Sequence, residues 1–247
     1  AAMRASKVVY DRSASSISEI KPGDVDWAKV FDGADWFHFT GITPAISKNA
    51  GEVCIEAAKS AKELGITVSA DMNYRKNLWT PEEAQATMIP MMKYVDVSIG
   101  NEEDAEKCLG VAAEGVDVTV GEIDPEAYRP VVQELVDKFG FKKVAITLRE
   151  SFSADDNGWS AIYYDGDEIL VGNKYPVRIV DRVGGGDSFC AAMIYGLNQS
   201  DWNSRQVLDF AVASSAMSHT FHGDFNLVSV KEVMAVAGGD TSGRVQR

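Results

Sequence analysis

The stretch Asp181-Arg182-Val183-Gly184-Gly185-Gly186-Asp187-Ser188-Phe189 lies between a strand-like run, Pro176 to Val180, and an apolar segment of helical character that continues to Leu197. Consecutive glycines carry no Cβ, so successive backbone N–H groups can converge on one anion, and a helix starting there adds the positive end of its dipole. Asp187, at the helix start, comes within reach of whatever lies beside that anion. An amide cradle with a carboxylate suits phosphoryl transfer, which needs a base for the acceptor hydroxyl and donors for a charged, in-line transition state. The same residues also read as a glycine-rich turn whose Asp merely caps a helix. The stretch is neither G-x-x-x-x-G-K-[ST] nor G-x-G-x-x-G, which weakens the P-loop and dinucleotide readings.

Outward from this turn, short strand-like runs alternate with helical ones. Trp36-Phe37-His38-Phe39-Thr40 is a compact aromatic strand ending at Gly41. Val53, Ala57, Ala61 and Leu64 recur on one face of a helix predicted over residues 50–64, Gly65 stops it, and residues 66–70 form the next strand. Thr80-Pro81-Glu82-Glu83 is a helix start: a capping Thr, Pro in the first turn and two acids at the positive dipole end. Residues 95–99 are strand again and Asn101 opens another helix. A helix over residues 125–139, a strand over 144–148, a hairpin over 159–164 and 168–171 turning at Asp165-Gly166, and helices over 187–197 and 204–220 complete the pattern. Strands alternating with helices predict an α/β fold with a mostly parallel sheet covered on both faces. The first 20 or so residues differ. Lys7-Val8-Val9-Tyr10 reads as an isolated strand and Asp11 to Ser16 as a polar turn, as though something precedes them.

A chain of 247 residues, 45% hydrophobic, can bury the core of one large domain. The net charge of −13 argues against nucleic acid or an anionic membrane surface as partner. It says nothing about the substrate, because the field in a cleft can oppose the net charge. Cys54, Cys108 and Cys190 are odd in number and widely spaced, which reads as reduced thiols in a cytoplasmic protein. No apolar run approaches the ~20 residues of a membrane span.

Other residues stand where strands end. Asp71-Met72-Asn73-Tyr74-Arg75 should lie at the carboxyl edge of the sheet, where a guanidinium can grip a carboxylate bidentately or serve only as a surface charge. Asn101-Glu102-Glu103-Asp104 has the make-up of a helix cap with acids in the first turn. Tyr10-Asp11-Arg12 reads as an exposed edge with incidental polar residues. Thr147-Leu148-Arg149 and Gly223-Asp224-Phe225-Asn226 read as ordinary loop chemistry. His219-x-x-His222 has no convergent Cys or spaced carboxylate and reads as two helix-end histidines, not a metal pair. His38 reads as a core or wall residue, and Met88, Met91 and Met92 as helix packing.

Asp181 to Asp187 resembles the C-terminal signature of the ribokinase-like (PfkB) carbohydrate kinases, D-T-x-G-A-G-D, with Arg182 for Thr and Gly185 for Ala. Those departures, with Ser188-Phe189 and the D-x-N-x-R of Asp71 to Arg75, are similar to the 2-keto-3-deoxygluconate kinases. The resemblance implies a three-layer ribokinase-like fold, with residues 1–20 the remnant of a β-lid and 21–247 an α/β domain. It implies that the N-terminal strands and most of the lid are absent, which would impair catalysis and stability.

It further implies that Gly184, Gly185 and Gly186 form an anion hole, where glycine in place of alanine keeps the amide, and that Asp187 is the catalytic base. Tyr10, Arg12, Asn73, Arg75 and Asp224 would bind the sugar acid. Asn101, Thr147, Arg149 and Asn226 would contact ATP, and Glu103 would hold Mg²⁺ through water, although the family spacing places the acid at Asp104. The implied activity is transfer of the ATP γ-phosphoryl group to 2-keto-3-deoxygluconate by a homodimer paired through the lid. A fructokinase-type kinase and a non-catalytic nucleotide-binding or assembly module are the alternatives.

Overall fold

A computed structural model describes residues 9–101, 103–112 and 124–243. The chain divides into two compact units: residues 9–112 with Glu126–Ile146, and residues 124–125 with 147–243.

In the first unit three strands run parallel in the order β1 (Trp36–Thr40), β2 (Thr67–Asp71), β3 (Val97–Asn101), followed by the start of β4 (Lys143–Ser151). Trp36 stands beside Thr67 and Thr40 beside Asp71, so β1 and β2 end together and deliver their following loops to one edge. The connections are helical, as parallel strands require. Helix α1 (Ser16–Glu19) and helix α2 (Trp27–Val30) precede β1. Helix α3 (Ile42–Ile46) and helix α4 (Lys48–Glu63) link β1 to β2. Helix α5 (Pro81–Met92) links β2 to β3, and α6 (Asp104–Leu109) and α7 (Arg129–Phe139) lead on to β4.

Helix α5 begins with a full capping box: the Glu83 N–H donates to Thr80 Oγ1 at 3.3 Å and the Thr80 N–H to Glu83 Oε2 at 2.8 Å. Met88, Met91 and Met92 on its inner face are fully buried, as packing residues should be. Trp27, Phe31, Phe37 and Phe39 form a chain of ring contacts over β1, with centroids 5.2–6.5 Å apart.

The second unit takes up β4 and continues β4-β5-β6, with β5 (Asp156–Tyr164) antiparallel to β6 (Ile169–Val171) through Ile162–Val171, Tyr163–Leu170 and Tyr164–Ile169. Strand β7 (Tyr175–Arg178) pairs with the other end of β5, again antiparallel. The sheet is therefore mixed, because the β5–β6 turn is too short for a parallel crossover. Helix α8 (Gly185–Leu197) lies against α9 (Ser204–Ser218), and α10 (Val230–Ala237) packs on α9.

Several expectations are corrected. Lys7 and Val8 lie outside the described residues, and Val9 to Arg12 form no strand; an isolated run has no ladder partner for its backbone groups. Helix α6 opens at Asp104 and not at Asn101, which is the last residue of β3. Helices α1, α2, α3 and α10 have no counterpart in the sequence reading; at eight residues or fewer, each is too short for apolar spacing to declare. Among the described residues no helix is long and apolar enough to cross a membrane. Cys54, Cys108 and Cys190 are buried free thiols.

At the opposite end of the first unit's sheet, Asp96 is buried between Lys62 Nζ at 2.5 Å and Lys142 Nζ at 2.9 Å, and accepts the Val68 N–H at 3.1 Å. Burial works to raise its pKa, but the two ammonium groups and the amide outweigh it and hold the carboxyl below its usual 3.8. A lowered folded pKa stabilises above the unfolded value and loses that contribution as pH falls through the folded one. Asp96→Asn is therefore expected to lower stability by about 2 kcal/mol near neutral pH. The gap to the parent chain should close below pH 3.8, as urea unfolding at a series of pH values would show.

Candidate active site

The second unit holds the glycine-rich turn. After β7, the Val180 and Asp181 N–H groups donate to the carbonyl of His219 at 2.8 and 3.3 Å. The Asp181 carboxylate then closes the turn on itself and on a distant loop, accepting from the Val183 N–H at 3.1 Å and the Gly223 N–H at 3.2 Å. These two backbone donors hold its pKa below the usual value. Gly184 has φ +80°, and a Cβ there would lie 2.2 Å from the Asp224 carbonyl oxygen, so backbone and space both demand glycine. Around a Cβ on Gly186, by contrast, nothing lies within 4 Å.

Asp187 is exposed in the first turn of α8. The Gly185 N–H makes a long 3.5 Å contact to the Arg182 carbonyl, and the N–H groups of Gly186 and Asp187 have no acceptor within the helix, so they are donors for an external anion. Arg149, exposed on β4, and Arg182 lie close enough to repel. Arg182 donates to the Ala154 carbonyl at 2.5 Å, and its pKa is lowered by partial burial first and by Arg149 second. Two guanidinium groups, a helix N-terminus and an open glycine face give this region a strongly anion-seeking character. Thr147 is buried within β4.

Asn226 anchors the loop after α9. Its Nδ2 donates to Ser188 Oγ at 2.6 Å, Ser214 Oγ at 3.1 Å and the Ser214 carbonyl at 3.2 Å, while Oδ1 accepts the Val228 N–H at 3.2 Å. The amide thus ties the loop to α8 and α9, and its neighbours Phe225 and Leu227 stand exposed. Asp224, whose carbonyl packs on Gly184, has an exposed side chain.

The first unit brings together the loops after β1, β2 and β3. The Gly41 N–H donates to the Asp71 carbonyl at 2.7 Å, and a Cβ on Gly41 would lie 2.1 Å from the Met72 carbonyl oxygen. Asn73 adopts φ +41° and donates from Nδ2 to Thr40 Oγ1 at 3.1 Å. Arg75 is exposed, steadied by one bond from Nη1 to the Tyr74 carbonyl at 3.0 Å. Asn101 Oδ1 accepts the N–H groups of Glu103 and Asp104 at 2.8 and 3.1 Å, so it caps α6 from the end of β3.

Asp104 answers this by accepting the Asn101 N–H on Oδ2 and the Tyr74 N–H on Oδ1, both at 2.8 Å. It is 2% exposed, and burial pushes its pKa up to about 6. Of the two acids weighed from the sequence, Asp104 faces inward as the joint between two loops and Glu103 is exposed. Tyr10 and Arg12 stack on each other, the guanidinium carbon 4.3 Å from the ring centroid. His38, on β1, shares a 2.7 Å hydrogen bond with Ser69 Oγ.

What the sequence reading of three residues at these loops lacks is their contacts: the clamp made by Asp181, the inward turn of Asp104 and the burial of His219 against Gly185. Asp104 carried a local signal, an acid three residues after a capping Asn. His219 carried none, because the glycine it meets is 34 positions away (219 − 185).

The model of the pfkB family carbohydrate kinases matches residues 6–229, and the chain belongs to that family. A solved structure of a 2-dehydro-3-deoxygluconokinase from Thermotoga maritima is 49% identical with a TM-score of 0.90, over 97% of this chain and 71% of that one. A 2-dehydro-3-deoxygalactonokinase from Haloferax volcanii is 29% identical over 98% of this chain and 69% of its own length. For a 2-dehydro-3-deoxygluconokinase from Thermoproteus tenax the figures are 31%, 89% and 59%. The ribokinase-like α/β fold expected from the sequence is thereby established.

Asp104→Asn would turn an amide N–H₂ toward one of two backbone donors and is expected to lower stability by about 2 kcal/mol. Glu103→Gln, at an exposed position, should leave it within about 0.5 kcal/mol of the parent; guanidinium unfolding of both variants measures the difference.

Proposed function

We propose that the chain carries the machinery of an ATP-dependent sugar-acid kinase acting on 2-keto-3-deoxygluconate. The observation that carries this reading is the start of α8, where an exposed carboxylate, Asp187, stands beside a glycine tract whose outer face is open. The names of the Thermotoga and Thermoproteus relatives support the substrate. The exposed Arg75, on a loop with a fixed backbone, supports an acid rather than a neutral sugar. Tyr10, Arg12, Asn73 and Asp224 are the further candidates for the sugar acid.

In this reading the acceptor hydroxyl attacks the γ-phosphorus of ATP and its proton passes to the Asp187 carboxylate. The new P–O bond forms as the bond to the β-phosphate oxygen breaks, and ADP leaves. Amides of Gly184 to Gly186, with Arg149 and Arg182, stabilise the charge on the phosphoryl oxygens. Thr147, Asn101 and the loop held by Asn226 serve the nucleotide. Among the described residues no three His, Cys, Asp or Glu side chains cluster to hold a metal. Mg²⁺, when bound with the nucleotide, would neutralise phosphate charge, and the exposed Glu103 is the residue that would hold it through water.

Coupled ADP release with ATP, Mg²⁺ and 2-keto-3-deoxygluconate, beside fructose and gluconate, tests the reading. Asp187→Asn should lower kcat by about 10³-fold with the melting temperature unchanged. Arg75→Ala should act mainly on the KM for the sugar acid. Equal turnover of fructose, or full activity in Arg75→Ala, would exclude the sugar-acid assignment.

A further inference from the structure

His219 ends α9 and is 5% exposed, yet it lies directly beneath the glycine tract. A Cβ on Gly185 would lie 2.4 Å from its Cε1 and 2.5 Å from its Nε2, so the ring occupies the place of the missing methyl. The ring is held by two contacts and the backbone behind it by a third. Nδ1 lies 2.6 Å from the Ser215 carbonyl, which can only accept, so Nδ1 carries the proton. The Trp159 ring packs against it with centroids 4.7 Å apart. Its own carbonyl receives the Val180 and Asp181 N–H groups that start the turn. Burial first, then the Arg182 and Arg149 charges, lower its pKa and favour the neutral ring.

One turn earlier on α9, Ser215 Oγ donates to the Gly185 carbonyl at 2.8 Å. In a planar trans peptide the C=O and N–H point opposite ways. That bond therefore turns the Gly186 N–H away from the Ser215 hydroxyl.

We infer that His219 and Ser215 are positioning residues for the anion cradle: the imidazole sets the height of Gly185 and the hydroxyl sets the direction of the next N–H. Gly185 and His219 are then a matched pair, and alanine at 185 is excluded by the ring and not by the backbone. This deepens the kinase reading and rests on it.

The test is calorimetric titration of the full chain with ADP and with adenosine, since the ratio of the two affinities isolates the grip on phosphate. Melting temperatures are recorded alongside. Gly185→Ala is expected to reduce the ratio about tenfold. The same change on a His219→Ala background should do little, because the space is then free. Ser215→Ala, which disturbs no packing, should reduce the ratio about fivefold with the fold intact. Equal effects of Gly185→Ala in both backgrounds, or melting shifts with an unchanged ratio, would overturn the inference and leave the kinase reading standing. A parent chain that binds ADP no better than adenosine would defeat the kinase reading itself, and the positioning inference with it.

Discussion

The turn that leads into α8 is set by two approaches closer than any side chain allows: Gly184 against the Asp224 carbonyl and Gly185 against the His219 ring. Nothing longer than hydrogen fits at either position, so these contacts fix where the helix begins. They also fix what surrounds it. The Asp224 loop is tied back by Asp181 through Gly223 and by Asn226 through Ser188 and Ser214. The end of α9 is tied to the turn through the His219 carbonyl. The first turn of α8, with Asp187 in it, is thus tied to its surroundings at several points, the kind of preorganisation that electrostatic stabilisation of a transition state requires.

The first unit solves a similar problem with a carboxylate. Loops after parallel strands end together but have no ladder to hold them, and Asp104 supplies the missing acceptors for Tyr74 and Asn101. Its pKa near 6 reflects the opposing demands of burial and of two amide donors. An exposed acid could not serve as such a joint, and a buried one is poorly placed to hold a solvated metal. That division of labour leaves Glu103 for the solvent side.

The architecture was largely legible because it rests on local signals. Thr80-Pro81-Glu82-Glu83 declared a helix start and became a capping box; Asp165-Gly166 declared a hairpin and joined β5 to β6. The glycine-rich turn and the exposed acid after it were legible for the same reason. What escaped was long-range or short-lived in sequence. His219 meets Gly185 only because α9 packs on α8, and the role of Asn226 depends on Ser188 and Ser214 from two different helices. The cap expected at Asn101 is present, and what the sequence does not show is that the residue ends β3 and caps α6 from there. Of the strand expected over residues 7–10, the described Val9 and Tyr10 join no ladder of this chain.

The central claim is that the backbone amides at the start of α8 receive the phosphates of a nucleotide. The most direct measurement is an amide nitrogen–proton NMR titration of the isotopically labelled chain with ADP. The account predicts that the Gly184, Gly185, Gly186 and Asp187 amides shift together, moving downfield as they gain a charged acceptor. Saturable ADP binding that leaves those four amides unmoved would contradict it.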